Sequence, residues 1–515
     1  MTSPVQPRAV VRAVSRAAVA VRAAFGALAG GLGRWVRARA GSGRGRVFLA
    51  LLAVVVLAVP SLLGLTLASA LDGSDGHGGA GTRVATIGVM APLSGDLSAD
   101  GAAVRNAVAL AVEEANESGA IAGWRLELSS RDDLARVDGG AQAADVFTAN
   151  ERLIGVVGPV SSLVARVAVP TLAAAGVPVV SPSNADPVLT GVGGGPRTRP
   201  YPSYFRLTGT DDLQAQVAAE YAVRTLGRRH IAVVDGEPRY GTTLADRFTA
   251  RATALGASVT STYPVRSGDG DDPPVDEVAA SLEREAPDLI YLDADASFAG
   301  KLRARLAEGG LSVQVLGSDA LLRPRYLDEA KSAADGDLIT SLLTAPTRLP
   351  AAGAFVAAYA QRFGGVPGPG QADETRASRT SGTASAAASA TPAADPAEAD
   401  TATPAAAPSR SADEQADHDA AVKLAQRRAE ALPAVAAYAY DAARAIIRAA
   451  ATVLPGRPGV DAAVRHDLVA AIGRASFVGV SGTVGFDRYG DTRSPSVALY
   501  TVLAGRFVAL STQTR

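Results

Sequence analysis

The chain has 515 residues, 48% of them apolar, with 50 basic and 51 acidic side chains for a net charge of −1. That length accommodates two or three domains, and the near-neutral charge gives no global pull toward nucleic acid or acidic partners. Cysteine is absent, which excludes a disulfide framework, a thiol nucleophile, Cys-ligated zinc and a lipid-modified N-terminal Cys.

The near-neutrality averages unlike segments, because the first 71 residues carry Arg and no Asp or Glu. Residues 1–46 read as an Arg-rich cytoplasmic tail. Residues 47–71 then run VFLALLAVVVLAVPSLLGLTLASAL without a charge. As a helix that is about 37 Å, enough to span a bilayer, and Pro60 would kink it without forbidding it. All the Arg of this region precedes the run and Asp72 follows it. The positive-inside rule therefore puts residue 1 in the cytoplasm and the bulk of the chain outside. Ala68-Ser69-Ala70 has the form of a cleavage site. The apolar run is long for a signal sequence, however, so the sequence predicts a retained single-pass anchor in the cell membrane. Residues 72–82, DGSDGHGGAGT, read as a short flexible tether.

From Arg83 the texture changes to short β-branched runs alternating with helical-period segments. Strands are predicted at 84–89, 124–130, 153–158 and 177–181, with helices at 101–117, 138–150 and 161–175 between them. After Phe205-Arg206-Leu207 the alternation restarts. Helices at 211–226, 241–255, 275–286 and 296–309 are followed by strands at 230–236, 257–265, 288–294 and 312–318. Strict β-α alternation means parallel sheets with helices on both faces, and two such runs mean two doubly wound α/β lobes joined by a hinge. In such sheets ligands sit beyond the carboxyl ends of the strands.

Residues 366–430 are built from Ala, Ser, Thr, Pro and Asp and hold almost no large apolar side chain. Such a segment cannot bury a core and reads as a disordered insertion. A helix at 432–450 resumes the fold, and 477–510 is strand-like with turns at Gly482 and Gly490. The expected division is one lobe from 83–208 and 342–480, carrying the insertion, and a second from 209–341 and 481–515.

Catalytic motifs are missing: there is no Gly-x-Ser-x-Gly elbow, His-Glu-x-x-His or phosphate-binding loop. The glycine-rich GVGGGP at 191–196 is followed by Pro200 and reads as a loop. The four His are scattered, and Asp132-Asp133 at a strand end suits a solvated or capping role. No enzyme activity, cofactor, metal or nucleic-acid partner is expected. One segment looks like a site. GVVGPVSS (155–162) ends a strand and opens a helix with Ser161 and Ser162. Free N–H groups and serine hydroxyls there make a cradle for a carboxylate, although simple N-capping explains the serines equally well. In the second lobe Asp319 lies just past a strand end, where it can receive an ammonium or cap a helix.

These residues also carry a family likeness. VATIGVMAPLSGDLSADGAAVRNAVALAVEEANESGAIAGWRLELSSRDD (84–133) resembles the opening of periplasmic binding proteins of the leucine/isoleucine/valine-binding type. IGVVGPVSS, VPVVSPSNADPVLT, YFRLTGTDDLQA, DGEPRYGTTLADRF and FVGVSGTVGFDRYGDT continue the likeness in order. The resemblance implies that Ser161 and Ser162 bind a ligand carboxylate, that Ser183 contacts the ammonium through its backbone, and that Asp319 neutralises it. It puts Ala185 where the family has a threonine, and Tyr240 in the cleft. Leu93 and Ser94 fall in its P-x-S-G segment, and Asp100 and Asp295 fall near two aromatic positions of branched-chain binders. Loss of one hydroxyl and two aromatics points away from a leucine-like ligand toward a more polar or cationic one. The implied function is extracytoplasmic capture of an amino-acid-like solute between two closing lobes, for delivery to the permease of an ABC importer. The alternative is a membrane-anchored sensor or structural ectodomain of the same fold.

Overall fold

The computed structural model describes residues 82–192, 196–236, 243–264, 275–364 and 432–515. The Arg-rich tail, the apolar run 47–71, the tether up to 81, Tyr240 and the insertion 366–430 lie outside the described residues. Among the described residues no helix is long and apolar enough to cross a membrane.

The first sheet is built from β1 (Arg83–Ala91), β2 (Trp124–Asp132), β3 (Leu153–Val157), β4 (Val179–Ser181) and β5 (Tyr204–Arg206), in the order β2-β1-β3-β4-β5. All its pairings are parallel. The inner strands β1 and β3 are buried on both faces and are nearly continuously apolar, whereas the edge strand β2 alternates buried Trp124 and Leu126 with exposed Arg125 and Glu127. Alternate residues serve opposite faces: Ile87 and Val89 join one core cluster, while Met90 and Val156 join the other. Helices α1 (Ser98–Glu117), α2 (Val137–Thr148) and α3 (Ser162–Ala174) connect the strands as expected.

The second sheet contains β6 (His230–Asp235), β7 (Ser258–Pro264), β8 (Leu289–Asp293), β9 (Gln314–Gly317) and β10 (Leu338–Ser341), interleaved with α4 (Asp211–Glu220), α5 (Leu244–Ala254), α6 (Val275–Glu285), α7 (Ala296–Glu308) and α8 (Pro324–Ala330). Two further strands, β11 (Ser476–Val478) and β12 (Thr483–Gly485), form a separate antiparallel pair. The second sheet's order is β14-β13-β10-β9-β8-β6-β7, with β13 (Ser496–Leu503) and β14 (Arg506–Thr514) added antiparallel at the edge. The parallel parts of both sheets have the same order, so each has a switch point beside its first strand, where a crevice opens at the carboxyl ends.

Two helices of the first lobe, α9 (Gly353–Phe363) and α11 (Ala462–Gly473), lie outside the helical segments predicted from periodicity, whereas α10 (Val435–Val453) matches one of them. Helix α10 is alanine-rich and buried around most of its circumference in the first lobe's core, alongside Ala103 and Ala107 of α1. The segment predicted as a helix over 211–226 ends in a π-helical turn at Tyr221–Thr225.

The chain crosses between lobes near Leu207–Thr210, near Leu342–Ala345 and before β13. At the second crossing Thr344 N donates to the Tyr438 hydroxyl, and Ala345 N donates to Tyr500. The third crossing falls later than the expected boundary at 481. Val484 and Phe486 belong to the first lobe's core, and Phe486 packs on Phe205 at 4.9 Å between ring centroids.

Candidate functional site

The switch point of the first sheet lies between β1 and β3, so the loops leaving these strands face the crevice. The β3 loop enters α3 through Ser161 and Ser162. Ser161 occupies the N-cap position, yet its side chain makes no capping hydrogen bond. The capping explanation therefore does not account for its hydroxyl. The Ser162 hydroxyl is used differently: it accepts from Ala185 N at 3.2 Å and Asp186 N at 3.4 Å, fastening the neighbouring loop.

That neighbouring loop follows β4. Ser183 Oγ donates to Val160 O at 2.9 Å, and Asn184 Nδ2 donates to the same oxygen at 3.0 Å. Ala185 is half-buried beside Leu213 and Val217 of α4, and its carbonyl accepts from Asp211 N at 2.9 Å. The first lobe's loop thus meets the start of the second lobe's first helix. Ser161, Ser162, Ser183 and Ala185 are brought together at one edge of the sheet.

A buried cation holds this loop from behind. Arg206, fully buried at the end of β5, donates to Asn184 O at 3.1 Å and Asp186 O at 2.8 Å. Its Nε also pairs with Asp491 at 2.6 Å. Burial pushes the Asp491 carboxyl up, but Arg206 and Arg197 outweigh it and hold the carboxyl below its ordinary range.

On the second sheet, the equivalent edge is acidic. Asp235 and Asp293 are register partners at the ends of β6 and β8. Thr243 Oγ1 donates to Asp235 at 3.0 Å and Ser318 Oγ donates to Asp293 at 2.6 Å. Asp319 follows β9. Ser318, not Asp319, caps the 3-10 turn there. Asp319 instead accepts from Gln214 Nε2 of α4 at 3.2 Å. Burial raises the Asp319 carboxyl above its usual range, against the opposing effects of Gln214 and Arg323. Asp211, at the first residue of α4, is pushed up to about 7 by burial and by the Asp319, Asp293 and Asp186 carboxylates. Beneath them, the buried Tyr291 hydroxyl lacks a hydrogen-bond partner and its ring stacks on Phe248 at 3.8 Å.

The weaker expectations divide. Leu93 is half-buried after β1 and its N–H donates to Asp132 at 2.9 Å, whereas Ser94 is exposed. Asp100, on the first turn of α1, pairs with Arg323 of the second lobe. Asp295 is exposed and caps α7, accepting from Ser297 N at 2.9 Å and Phe298 N at 3.3 Å. Asp132 caps no helix: it accepts from Leu134 N at 2.9 Å in the loop after β2, as well as from Leu93 N, while Arg136 holds the N-cap position of α2. Asp133 is not solvated: it is fully buried, its Oδ2 is unpartnered, and burial raises it to about 6.

Asp211, Gln214, Arg206 and Arg323 escaped the sequence reading. Asp211 had a signal, because it opens the helix predicted over 211–226 directly after the connector that follows Phe205-Arg206-Leu207. Arg206 had none: an arginine inside a three-residue strand gives no hint that it will be buried.

Comparison with known proteins agrees with this geometry. The family described as periplasmic binding protein matches residues 84–375. A Leu/Ile/Val-binding protein of Rhizobium johnstonii is 31% identical over 256 residues, covering 50% of this chain and 67% of that protein. An amino acid binding protein of Pseudomonas aeruginosa is 25% identical over 283 residues, 55% of this chain and 69% of that protein. Among solved structures, a leucine-binding protein of Thermotoga maritima superposes with a TM-score of 0.59 at 21% identity, covering 83% of this chain and 98% of that one. A solute-binding protein of Rhodopseudomonas palustris in complex with benzoate gives 0.59 at 17% identity, covering 83% and 96%. These structural likenesses establish the two-lobe fold alone.

Proposed function

The chain belongs to the periplasmic binding protein family, a family of non-enzymatic solute binders, and from that premise we propose that it captures an amino-acid-like solute carrying a carboxylate and a cationic group. The carboxylate meets Ser161 and the free N–H groups that open α3. The cationic group meets Asp319, with Asp211 beside it. The single observation that carries this reading is the pairing of an uncommitted serine at a helix N-terminus on one lobe with an acidic strand edge on the other. Each lobe alone satisfies half the ligand, so binding favours the closed arrangement.

The relatives named for leucine, isoleucine and valine give the starting ligand class. The acidic second-lobe edge and the absence of an aromatic at Asp100 favour a more polar or cationic member of it. In this reading residues 47–71 anchor the protein, the bulk of the chain is extracytoplasmic, and the bound solute passes to an ABC permease. Thermal-shift screening of the protein against amino acids, amides and polyamines tests it, since a ligand that binds only the folded state raises the melting temperature. A hit among zwitterions or cations supports the reading, and hits confined to aromatic acids overturn the second-lobe assignment. Protease added to intact cells tests the topology. It is expected to remove the ectodomain and spare the Arg-rich tail, whereas recovery of a soluble form beginning at Leu71 shows cleavage instead.

A further inference from the structure

The Asp100–Arg323 ion pair joins the two lobes. Asp100 stands on the first turn of α1, in the first lobe. Arg323 immediately precedes α8, in the second lobe, four positions after Asp319 in the same loop. The two charges are 223 residues apart in sequence, so only the approach of the lobes brings them together. Asp100 is largely covered, with 14% of its side chain exposed against 39% for Arg323. The contact therefore keeps more strength than a fully exposed pair.

We propose that Asp100 and Arg323 are a positioning pair that fastens the lobes over the ligand and that Arg323 links the fastening to occupancy of Asp319. Arg323 lies within the field of two carboxylates, Asp319 on its own loop and Asp100 opposite. A cation seated on Asp319 takes over that carboxylate's charge and leaves Asp100 as the remaining partner of Arg323. Ligand capture then strengthens the bridge that holds the cleft shut. Only the linkage to occupancy rests on the function proposed above; the fastening itself requires only the two lobes.

The chain has no Cys, so two introduced cysteines label it cleanly. Asp96→Cys and Asp328→Cys lie at exposed positions on opposite lobes, and a spin-label pair on the full-length protein reads their separation by pulsed electron resonance without ligand. Asp100→Asn and Arg323→Gln are each expected to shift the distance distribution outward, raising the open-to-closed ratio roughly two- to fivefold. The double variant is expected to match either single one, because both remove the same contact. About 1 M salt, which shortens the screening length to about 3 Å, is expected to open the unsubstituted pair and leave the variants unmoved. Unchanged distributions in both single variants, or equal salt responses with and without the pair, overturn the proposal. Neither outcome bears on whether a ligand binds, which calorimetry reads separately. With a ligand in hand, Arg323→Gln is expected to raise Kd while leaving the carboxylate contact intact, and an unchanged Kd overturns the link to occupancy.

Discussion

At Asp133 the protein keeps a carboxyl fully buried with one oxygen unpartnered, and its pKa rises to about 6. The folded state prefers the protonated acid. The favourable contribution is complete below the unfolded value of 3.8 and is lost as pH rises through about 6. Asp133→Asn is therefore expected to stabilise the protein by about 1–2 kcal/mol at neutral pH and to flatten the stability profile between about pH 4 and about pH 6. Denaturant melts at several pH values check this, and an unchanged slope contradicts it. Asp211 gives the second titration. Raised to about 7, it is charged at mildly alkaline pH and neutral below, so a cationic ligand is expected to bind more weakly as pH falls from about 8 to about 6, with proton release on binding. Calorimetry in buffers of different ionisation enthalpy measures that release. The sequence suggested an acid at Asp319 but carried no sign that Asp133 would be buried, because burial there depends on the packing of a loop beyond the strand.

At the scale of elements, the loop after β4 is held by Arg206 from behind as well as by its own Ser183 and Asn184. The guanidinium donates to Asn184 O and Asp186 O and pairs with Asp491. Arg206→Ala strips both loop carbonyls of their donor and leaves Asp491 with Arg197 as its remaining guanidinium partner, so it is expected to cost about 2–4 kcal/mol. It should also loosen the loop that carries Ser183 and Ala185, visible as faster amide exchange over 182–190. Equal exchange in the two proteins contradicts this role. The alternation of strands and helices was legible from residue 83 onward because parallel strands buried on both faces read as apolar runs. Helices α9 and α11 were not, since their short apolar stripes flank segments with no clear period. The cap of α5 shows a similar limit: Thr243 and Asp246 form a reciprocal capping box, so the helix starts later than the pattern over 241–255 suggested.

For the whole molecule, two doubly wound sheets of the same parallel order face each other's carboxyl edges through a three-crossing hinge. The architecture was readable from sequence because each lobe repeats one simple pattern. The third crossing was not, because Phe486 and Asp491 are held by the first lobe through long-range contacts with Phe205 and Arg206. The residues between Gly364 and Leu432 join two helices of one lobe. Replacing 371–428 by a short linker is expected to leave the melting temperature nearly unchanged, since each doubling of loop length costs only about 0.6 kcal/mol. Loss of the cooperative transition contradicts that expectation.

The central claim is that one lobe reads a carboxylate and the other a cation. Titration calorimetry of the protein and its Asp319→Asn variant, against the strongest ligand of the thermal-shift screen, tests it most directly. A hydrogen bond to a charged group contributes about 1.5–3 kcal/mol, so Asp319→Asn is expected to weaken binding roughly ten- to a hundredfold. Binding by the variant as tight as that of the unsubstituted protein contradicts the claim.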